Sequence, residues 1–259
     1  MSTLNLYIIT WISKIILNYK NFKNYIEILS QIKNGFYNKC MEIKISTEPV
    51  EYLFTLEEME RRHNQVLNNE AEELIWFLEH EDVYTAGISA KDNELINSQT
   101  IPVFRTKRGG KFTYHGKGQL ICYLVCNLKK RAGGLPDVRC FVDCLEDIII
   151  KTLAEFKIIG EKRKDRIGVW VQTKNGEEKI AAIGVKFTKG VTMHGFALNV
   201  FTDLSKFNGI IPCGIAEFGV CSMESIGIKT TIEDVRSVVI KNLEHTLKEN
   251  FYQKRCKNS

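Results

Sequence analysis

The chain has 259 residues and a formal net charge of +5, with 44% hydrophobic and 26% charged side chains. These values are ordinary for a globular protein, and they exclude a disordered tail, a collagen-like fibre and a coiled coil. Apolar runs stay short of the roughly 18 residues that span a bilayer. The composition therefore predicts a compact, soluble protein without a membrane segment.

The positive charge is concentrated at the N-terminus. Residues 1–40 carry five lysines and one glutamate, whereas the rest of the chain is almost neutral. A near-neutral body gives no electrostatic support for general nucleic-acid binding. We expect residues 1–40 to be an N-terminal extension, either disordered or an artefact of the assigned start site. Residues 41–259 are then expected to form the functional domain.

The first half of this domain contains one helix signal followed by two strand signals. A polar-rich helix is predicted over residues 55–68, because the segment opens with the capping-box spacing of Thr55 and Glu58. Runs rich in branched and aromatic side chains predict strands at 74–78 and 119–128.

The second half begins and ends with a helix signal. Apolar residues at helical spacing predict an amphipathic helix over 138–156. A third helix is predicted over 230–251, again with capping-box spacing at its start. The strands predicted between these helices cover residues 168–173, 179–188 and 191–200. Asn175-Gly176 is a type I′ turn signal and Lys189-Gly190 a second tight turn, so these strands should form an antiparallel meander. No linker divides the sequence, and we predict a single α+β domain with helices on one face of the sheet.

The run from Arg108 to Gln119 is the first candidate for a functional site. Its four glycines allow the backbone to approach a ligand closely, and its Arg, Thr, Tyr and His side chains offer hydrogen-bond donors. It matches neither a phosphate loop nor a dinucleotide-binding fingerprint. Taken alone, the segment is equally well interpreted as a sharp hairpin without function.

Three later segments add chemistry to this loop. Lys179 precedes a run of small residues, which would leave space for a ligand beneath its charge, and His194 precedes a similar run. Cys213 lies between Pro and Gly, which favours a turn that presents the sulfur to a cleft. A nucleophilic thiol needs a nearby cation or base, and Lys179, His115 and His194 are the available partners.

In this order, the stretches RGGKFTYHGKGQ, GVWV, KIAAIGVKFTKGVTMHGFALNV and IIPCGI resemble the lipoyl(octanoyl) transferases that act on octanoyl-acyl carrier protein. The resemblance covers roughly residues 42–230. It implies a fold like the catalytic domain of lipoate and biotin protein ligases, with a mixed, largely antiparallel sheet and surrounding helices. It also implies that residues 41–259 are an octanoyltransferase catalytic domain that needs no ATP, cofactor or metal.

The resemblance assigns roles to individual residues. Cys213 matches the cysteine that forms the acyl-thioester intermediate, and Lys179 matches the lysine that lowers the pKa of that cysteine. His115 and His194 are assigned to positioning or to the polarity of the pocket. Cys221 stands where threonine is more frequent, so it is not expected to be the nucleophile. The positions that match substrate-binding residues are Arg108, Gly109, Gly110, Lys111, Phe112, Thr113, Tyr114, His115, Ala182, Ile183, Gly184, Gly195, Phe196 and Ala197.

The expected partners follow from the same resemblance. They are octanoyl-acyl carrier protein, the lipoyl domains of 2-oxoacid dehydrogenase complexes and the glycine cleavage H protein, with no nucleic acid and no membrane. A cytoplasmic location is expected, or an organelle matrix if residues 1–40 are a targeting sequence.

Three other functions stay open at this point. An ATP-dependent lipoate or biotin ligase would share the fold but would not need Cys213. A cysteine hydrolase could use the same thiol, although the spacing of its possible partners gives it no support. The presence of both Cys213 and Lys179 argues against a non-catalytic binding protein.

Overall fold

The computed structural model describes residues 41–98, 101–132, 137–211 and 218–248. The extension predicted for residues 1–40 and the nucleophile predicted at Cys213 lie outside these ranges. The described strands are β1 Met41–Ile45, β2 Glu73–Leu78, β3 Val83–Ala86, β4 Val103–Arg105, β5 Phe112–His115, β6 Gln119–Val125, β7 Val169–Thr173, β8 Gly176–Thr188, β9 Val191–Asn199 and β10 Gly219–Val220. The described α-helices are α1 Tyr52–Asn68, α2 Leu128–Ala132, α3 Val138–Glu155 and α4 Ile232–Lys248. None of these four helices combines the length and hydropathy needed to cross a membrane.

The larger sheet has the order β1-β2-β6-β9-β8-β10, and β7 pairs with β8. β6 runs antiparallel to both β2 and β9, and β8 runs antiparallel to both β7 and β9. Among the pairings of this sheet whose direction is described, only the short β10 is parallel to its partner, β8. A smaller sheet has the order β4-β3-β5, in which β3 runs parallel to β4 and antiparallel to β5. The predicted mixed, largely antiparallel sheet is therefore confirmed, and so is the α+β class.

The sheet is covered on both faces. Every residue of β6 is buried, which requires cover above and below the strand. Helix α1 covers one face, where Met59 and Val66 pack in a core cluster with Trp76 and Ile121. From the sequence we expected helices on one face, whereas the burial of β6 shows that the other face is covered as well. The continuous apolar run of β6 was the signal, because a strand with one solvated face would alternate apolar and polar residues.

Both capping-box predictions misplace the start of their helix. Helix α1 begins three residues before Thr55, with Glu51 as its N-cap accepting a hydrogen bond from the Phe54 N–H at 3.3 Å. Helix α4 is capped by Thr231, whose hydroxyl accepts from the Asp234 N–H at 3.1 Å. Each chain segment offers several polar residues three positions apart, and tertiary packing decides which of them caps the helix.

The β8–β9 turn is the tight turn predicted at Lys189-Gly190, where both residues have positive φ as a type I′ turn requires. The β7–β8 turn lies where it was predicted but is of another type. Its central residues are Lys174 and Asn175, neither of which has positive φ, and Gly176 follows with φ +108°. The positive φ thus falls on Gly176, which follows the turn and opens β8, and not on the two central turn residues.

Candidate active site

A cavity of about 450 Å³ lies between the glycine-rich loop, the β8–β9 hairpin and the first turns of α3. All the predicted substrate-binding residues except Tyr114 line this cavity, and so do Lys179 and His194. Residues from two segments about 70 positions apart are thereby brought to one space. The volume falls within the ~300–1,000 Å³ range of small-molecule sites.

Tyr114 turns away from the cavity. Its hydroxyl donates to Asp82 Oδ1 at 2.6 Å, and its ring packs edge-on against Phe207 at 5.3 Å between centroids. Alternation along β5 explains this placement, since adjacent side chains of a strand point to opposite faces. Tyr114 therefore supports the small sheet beneath the loop and does not face the cavity.

The guanidinium of Arg108 fastens the glycine-rich loop to the protein. Its Nη2 donates to the carbonyl and the hydroxyl of Thr85, both at 2.7 Å, and to the Lys111 carbonyl at 3.0 Å. Its Nη1 donates to the Gly109 carbonyl at 2.9 Å. The side chain is buried, so these charge-assisted bonds are strong and fix the loop conformation. Arg108 lines the cavity, but these donors point to the chain itself.

Lys111 is also engaged within the protein. Its ammonium lies 2.6 Å from Glu94 Oε1, and the Glu94 side chain is buried. Burial is the largest influence and acts to raise the pKa of Glu94, but the hydrogen bonds from Lys111 and from the Lys91 N–H, together with the charges of these two lysines, outweigh it, and the pKa lies below its usual value. The positive charge of Lys111 therefore anchors the loop on the Glu94 side.

Close packing, as well as the cavity, explains why two of the predicted substrate-binding positions are glycines. A Cβ added at Gly195 would lie 2.1 Å from the Cys122 carbonyl oxygen on β6, which no side chain can tolerate. A Cβ at Gly184 would lie 3.1 Å from Cδ of Arg108. The small residues of the hairpin therefore leave room both for the cavity and for the loop that closes it.

Lys179 is a buried cation held at the wall of the cavity. Its Nζ donates to the Ile167 carbonyl at 3.0 Å and lies 4.6 Å from the centroid of the Trp170 ring. After the segment 212–217, which includes Cys213, the described chain resumes at Phe218 and pairs Val220 with Lys179 in β10. Val220, seven residues after the predicted nucleophile in the chain, thus lies beside Lys179.

Two histidines, His115 and His194, line the cavity, and His80 packs against His115 with 5.8 Å between the ring centroids. The Nδ1 of His80 lies 2.7 Å from the Val50 carbonyl, which can only accept, so Nδ1 carries the proton and Nε2 accepts from the Tyr123 hydroxyl at 2.9 Å. Burial lowers the pKa of His80 to about 4 and, together with nearby Arg108, that of His194 to about 3. Burial also lowers the pKa of His115 well below its usual value.

His194 is the most unusual of these residues. It adopts φ +61° within β9, and its Nε2 is buried without a hydrogen-bond partner among the residues that the structure describes. A non-glycine residue held at positive φ inside a strand is strained, which is common where a side chain is needed in one direction. The position agrees with the predicted role in pocket polarity, which stays a prediction.

The free energy of unfolding should fall as the pH is lowered from 6.5 to 5. His80, His115 and His194 each have a folded pKa below the unfolded value. The unfolded state therefore binds more protons in this window and gains stability relative to the folded state. We expect a loss of about 1 to 2 kcal/mol for each histidine, measured by urea unfolding across this range. His80→Gln should reduce the slope by about one third, whereas a flat profile would contradict the prediction.

Cys221 does not qualify as the nucleophile. Its thiol is buried, and this burial, aided by Glu178, raises its pKa to about 12. Only a negligible fraction is thiolate near neutral pH. This environment agrees with the expectation that Cys221 is not the nucleophile.

Several cavity residues were not foreseen from the sequence. Val138 and Val142 line it from α3 at helical i, i+4 spacing, and Asp165, Arg166 and Ile167 line its mouth. Apolar residues on a helix face are indistinguishable from ordinary core. The basic run before the GVWV motif could have been a signal, because it immediately precedes a strand of the site, but such runs are usually solvated.

Known protein sequences are similar to this chain over most of the domain that forms the cavity. The family described as Lipoyl protein ligase A/B catalytic domain matches residues 51–244. The octanoyltransferase of Wolbachia pipientis wMel is 46% identical over 209 residues, which cover 81% of this chain and 97% of the relative. That of Parvibaculum lavamentivorans is 48% identical over 198 residues, 75% of this chain and 87% of the relative. The resemblance drawn from the motifs is confirmed.

Solved structures extend the likeness to the fold. A bi-partite lipoate protein ligase from Thermoplasma acidophilum has a TM-score of 0.59 at 16% identity, covering 80% of this chain and 84% of the other. A lipoate-protein ligase A bound with ATP has a TM-score of 0.58 at 16% identity, covering 80% and 86%. At this identity the likeness establishes the fold alone, and it confirms the predicted similarity to the lipoate ligases.

Proposed function

The chain belongs to the octanoyltransferases of the lipoyl protein ligase A/B catalytic domain family, acyltransferases of protein lipoylation, and we propose that its donor is octanoyl-acyl carrier protein. The acceptor is the lysine of a lipoyl domain, in 2-oxoacid dehydrogenase complexes or the glycine cleavage H protein. Cys213 carries the acyl group as a thioester between the two half-reactions, and Lys179 assists it.

The cavity is the observation that carries this proposal. It joins a buried lysine to a wall made of Ala182, Ile183, Gly184 and Phe196, which offers an apolar surface to an alkyl chain. Burying each methylene of such a chain contributes about 0.8 kcal/mol. The described chain resumes beside Lys179 directly after the segment that holds Cys213, which is consistent with a shared role for the two residues.

The chemistry needs no nucleotide. The Cys213 thiolate attacks the thioester carbon, the new C–S bond forms and the C–S bond to the carrier breaks, and the departing carrier thiolate takes up the proton that Cys213 gave up on ionising. The acceptor amine then attacks the acyl-enzyme, a C–N bond forms, the C–S bond to Cys213 breaks, and the nitrogen passes one proton to the departing sulfur or to solvent. The Lys179 ammonium favours the thiolate in both steps, because an adjacent cation lowers the pKa of a thiol.

An ATP-dependent ligase is the alternative that the fold itself leaves open. The high identity to octanoyltransferases favours transfer from a thioester. The deciding experiment supplies a lipoyl domain with octanoyl-acyl carrier protein without ATP, or with free octanoate and ATP. We expect octanoylation only in the first mixture, with a lipoyl domain lacking its acceptor lysine as the control. Modification only in the second mixture would contradict the proposal.

A further inference from the structure

Lys179 is oriented by a peptide group that is bound at both of its ends. The segment 162–168, which we call the strap, directly precedes β7 and includes the Ile167–Gly168 peptide. The carbonyl of this peptide accepts from Lys179 Nζ at 3.0 Å. Its N–H, on Gly168, donates to Glu146 Oε1 at 3.0 Å. One planar peptide unit therefore lies between a carboxylate and an ammonium.

The geometry of a peptide makes this link stiff. The N–H and C=O of a trans peptide are fixed in one plane and point in opposite directions, so fixing one fixes the other. A hydrogen bond to a carboxylate also polarises the peptide and makes its carbonyl a better acceptor for a cation. Glu146 therefore acts on Lys179 without touching it.

The strap packs against β8 so closely that Gly168 is required. Gly168 has φ +122°, and a Cβ there would lie 2.6 Å from the Ala181 carbonyl and 3.2 Å from Cε of Lys179. A shift of the strap would change the space available to the lysine side chain. The position of Lys179 thus depends on whatever holds this peptide in place.

Other contacts of the strap involve more exposed side chains. Lys162 pairs with Asp143 and Asp147, and Arg163 and Arg166 pair with Glu177. The Lys162 pairs are partly accessible, and ion pairs of that kind contribute little, with a typical value of about 0–1 kcal/mol, whereas Arg166 and Glu177 are more enclosed. Glu146, by contrast, is only 7% exposed and belongs to the rigid helix α3. Burial raises its pKa against the lowering effect of the Gly168 N–H and of Lys162.

We infer that Glu146 is a positioning residue for Lys179, acting through the Ile167–Gly168 peptide. The carboxylate holds the peptide, the peptide carbonyl holds the ammonium, and the ammonium is directed to the cavity. The inference rests on the proposed function, in which Lys179 assists Cys213. Its structural part, the fixed orientation of Lys179, can be tested without any substrate.

Two variants of Glu146 separate the effect of side-chain length from the effect of charge. Glu146→Asp keeps the charge but retracts the carboxylate by one methylene, and Glu146→Gln keeps the reach but offers a neutral acceptor. Labelling of Lys179 by trinitrobenzenesulfonate, mapped by peptide mass spectrometry, reports how firmly the amine is held. We expect labelling to be about tenfold faster than wild type in the Asp variant and about threefold faster in the Gln variant. Single-turnover formation of the acyl-enzyme should slow in the same order and by similar factors.

The matched controls are Glu155→Asp and Glu155→Gln. Glu155 lies on the same helix, nine residues further on, and pairs with Lys241 at 3.4 Å on the surface. Both controls should label Lys179 at the wild-type rate. Labelling that is unchanged in both Glu146 variants would overturn the inference, and if the Asp variant does not fold, the Gln variant alone decides. A wild-type protein that forms no acyl-enzyme would refute the proposed function but leave the labelling result valid.

Discussion

Cys213→Ala is expected to abolish the octanoyl adduct and to reduce octanoyl transfer by about 10⁴-fold or more. Without the thiol, the proposed acyl-enzyme intermediate cannot form. The lipoyl lysine would then have to attack the carrier thioester directly. Intact-protein mass spectrometry after mixing with octanoyl-acyl carrier protein, without ATP or acceptor, measures the adduct. In the wild type it should be sensitive to hydroxylamine, as a thioester is.

Cys221→Ala is the matched control for this experiment. Cys221 follows β10 in the chain, and its buried thiol has a pKa raised to about 12, so its removal should leave the adduct intact. An adduct that persists in Cys213→Ala, or that disappears in Cys221→Ala, would refute the assignment of the nucleophile.

Lys179→Met is expected to slow acyl-enzyme formation by about 10² to 10³-fold. Methionine keeps much of the apolar length of the side chain beside Trp170 but removes the cation that we propose favours the thiolate. The residual rate should rise with pH up to about 8.5, the ordinary pKa of a free thiol, because ionisation then depends on the solvent alone. Stopped-flow or quenched single-turnover kinetics at several pH values would measure this shift toward alkaline pH.

Lys186→Met serves as the control for charge on the same strand. Lys186 also belongs to β8 and lies 3.7 Å from Glu60, outside the set of residues that line the cavity. Its replacement should change the rate less than threefold and leave the pH profile in place. If Lys179→Met keeps the wild-type profile, then the lysine does not promote ionisation of the nucleophile.

The parts of the fold that could be predicted are those with a dense local signal. The hairpin of β8 and β9 follows from two long apolar strands joined by Lys189-Gly190, a pair suited to a type I′ turn. The small sheet of β3, β4 and β5 escaped notice, because strands of three or four residues carry no measurable periodicity.

The sequence indicated which residues line the cavity better than it indicated where their side chains point. Composition marks Arg108 as a donor in a loop, but only the folded chain reveals that its donors meet Thr85 and the loop carbonyls. Glu146 falls among the apolar residues of an amphipathic helix. Helical periodicity cannot distinguish a buried carboxylate that makes a specific contact from a solvated carboxylate at the edge of the apolar face. The partner of Glu146 is a backbone N–H, which has no signature in the sequence.

The way Arg108 fastens the glycine-rich loop has a consequence for the choice of acyl chain. Because the loop is ordered when the protein folds, little entropy is lost there on binding, and each methylene that enters contributes nearly its full transfer free energy. A chain that outgrows the slot must instead force its walls apart, which costs about 1–3 kcal/mol. The range of acyl-chain lengths that the protein accepts should therefore depend on how rigid the loop is. A substitution that loosens the loop should admit longer chains before it slows the transfer of octanoyl groups.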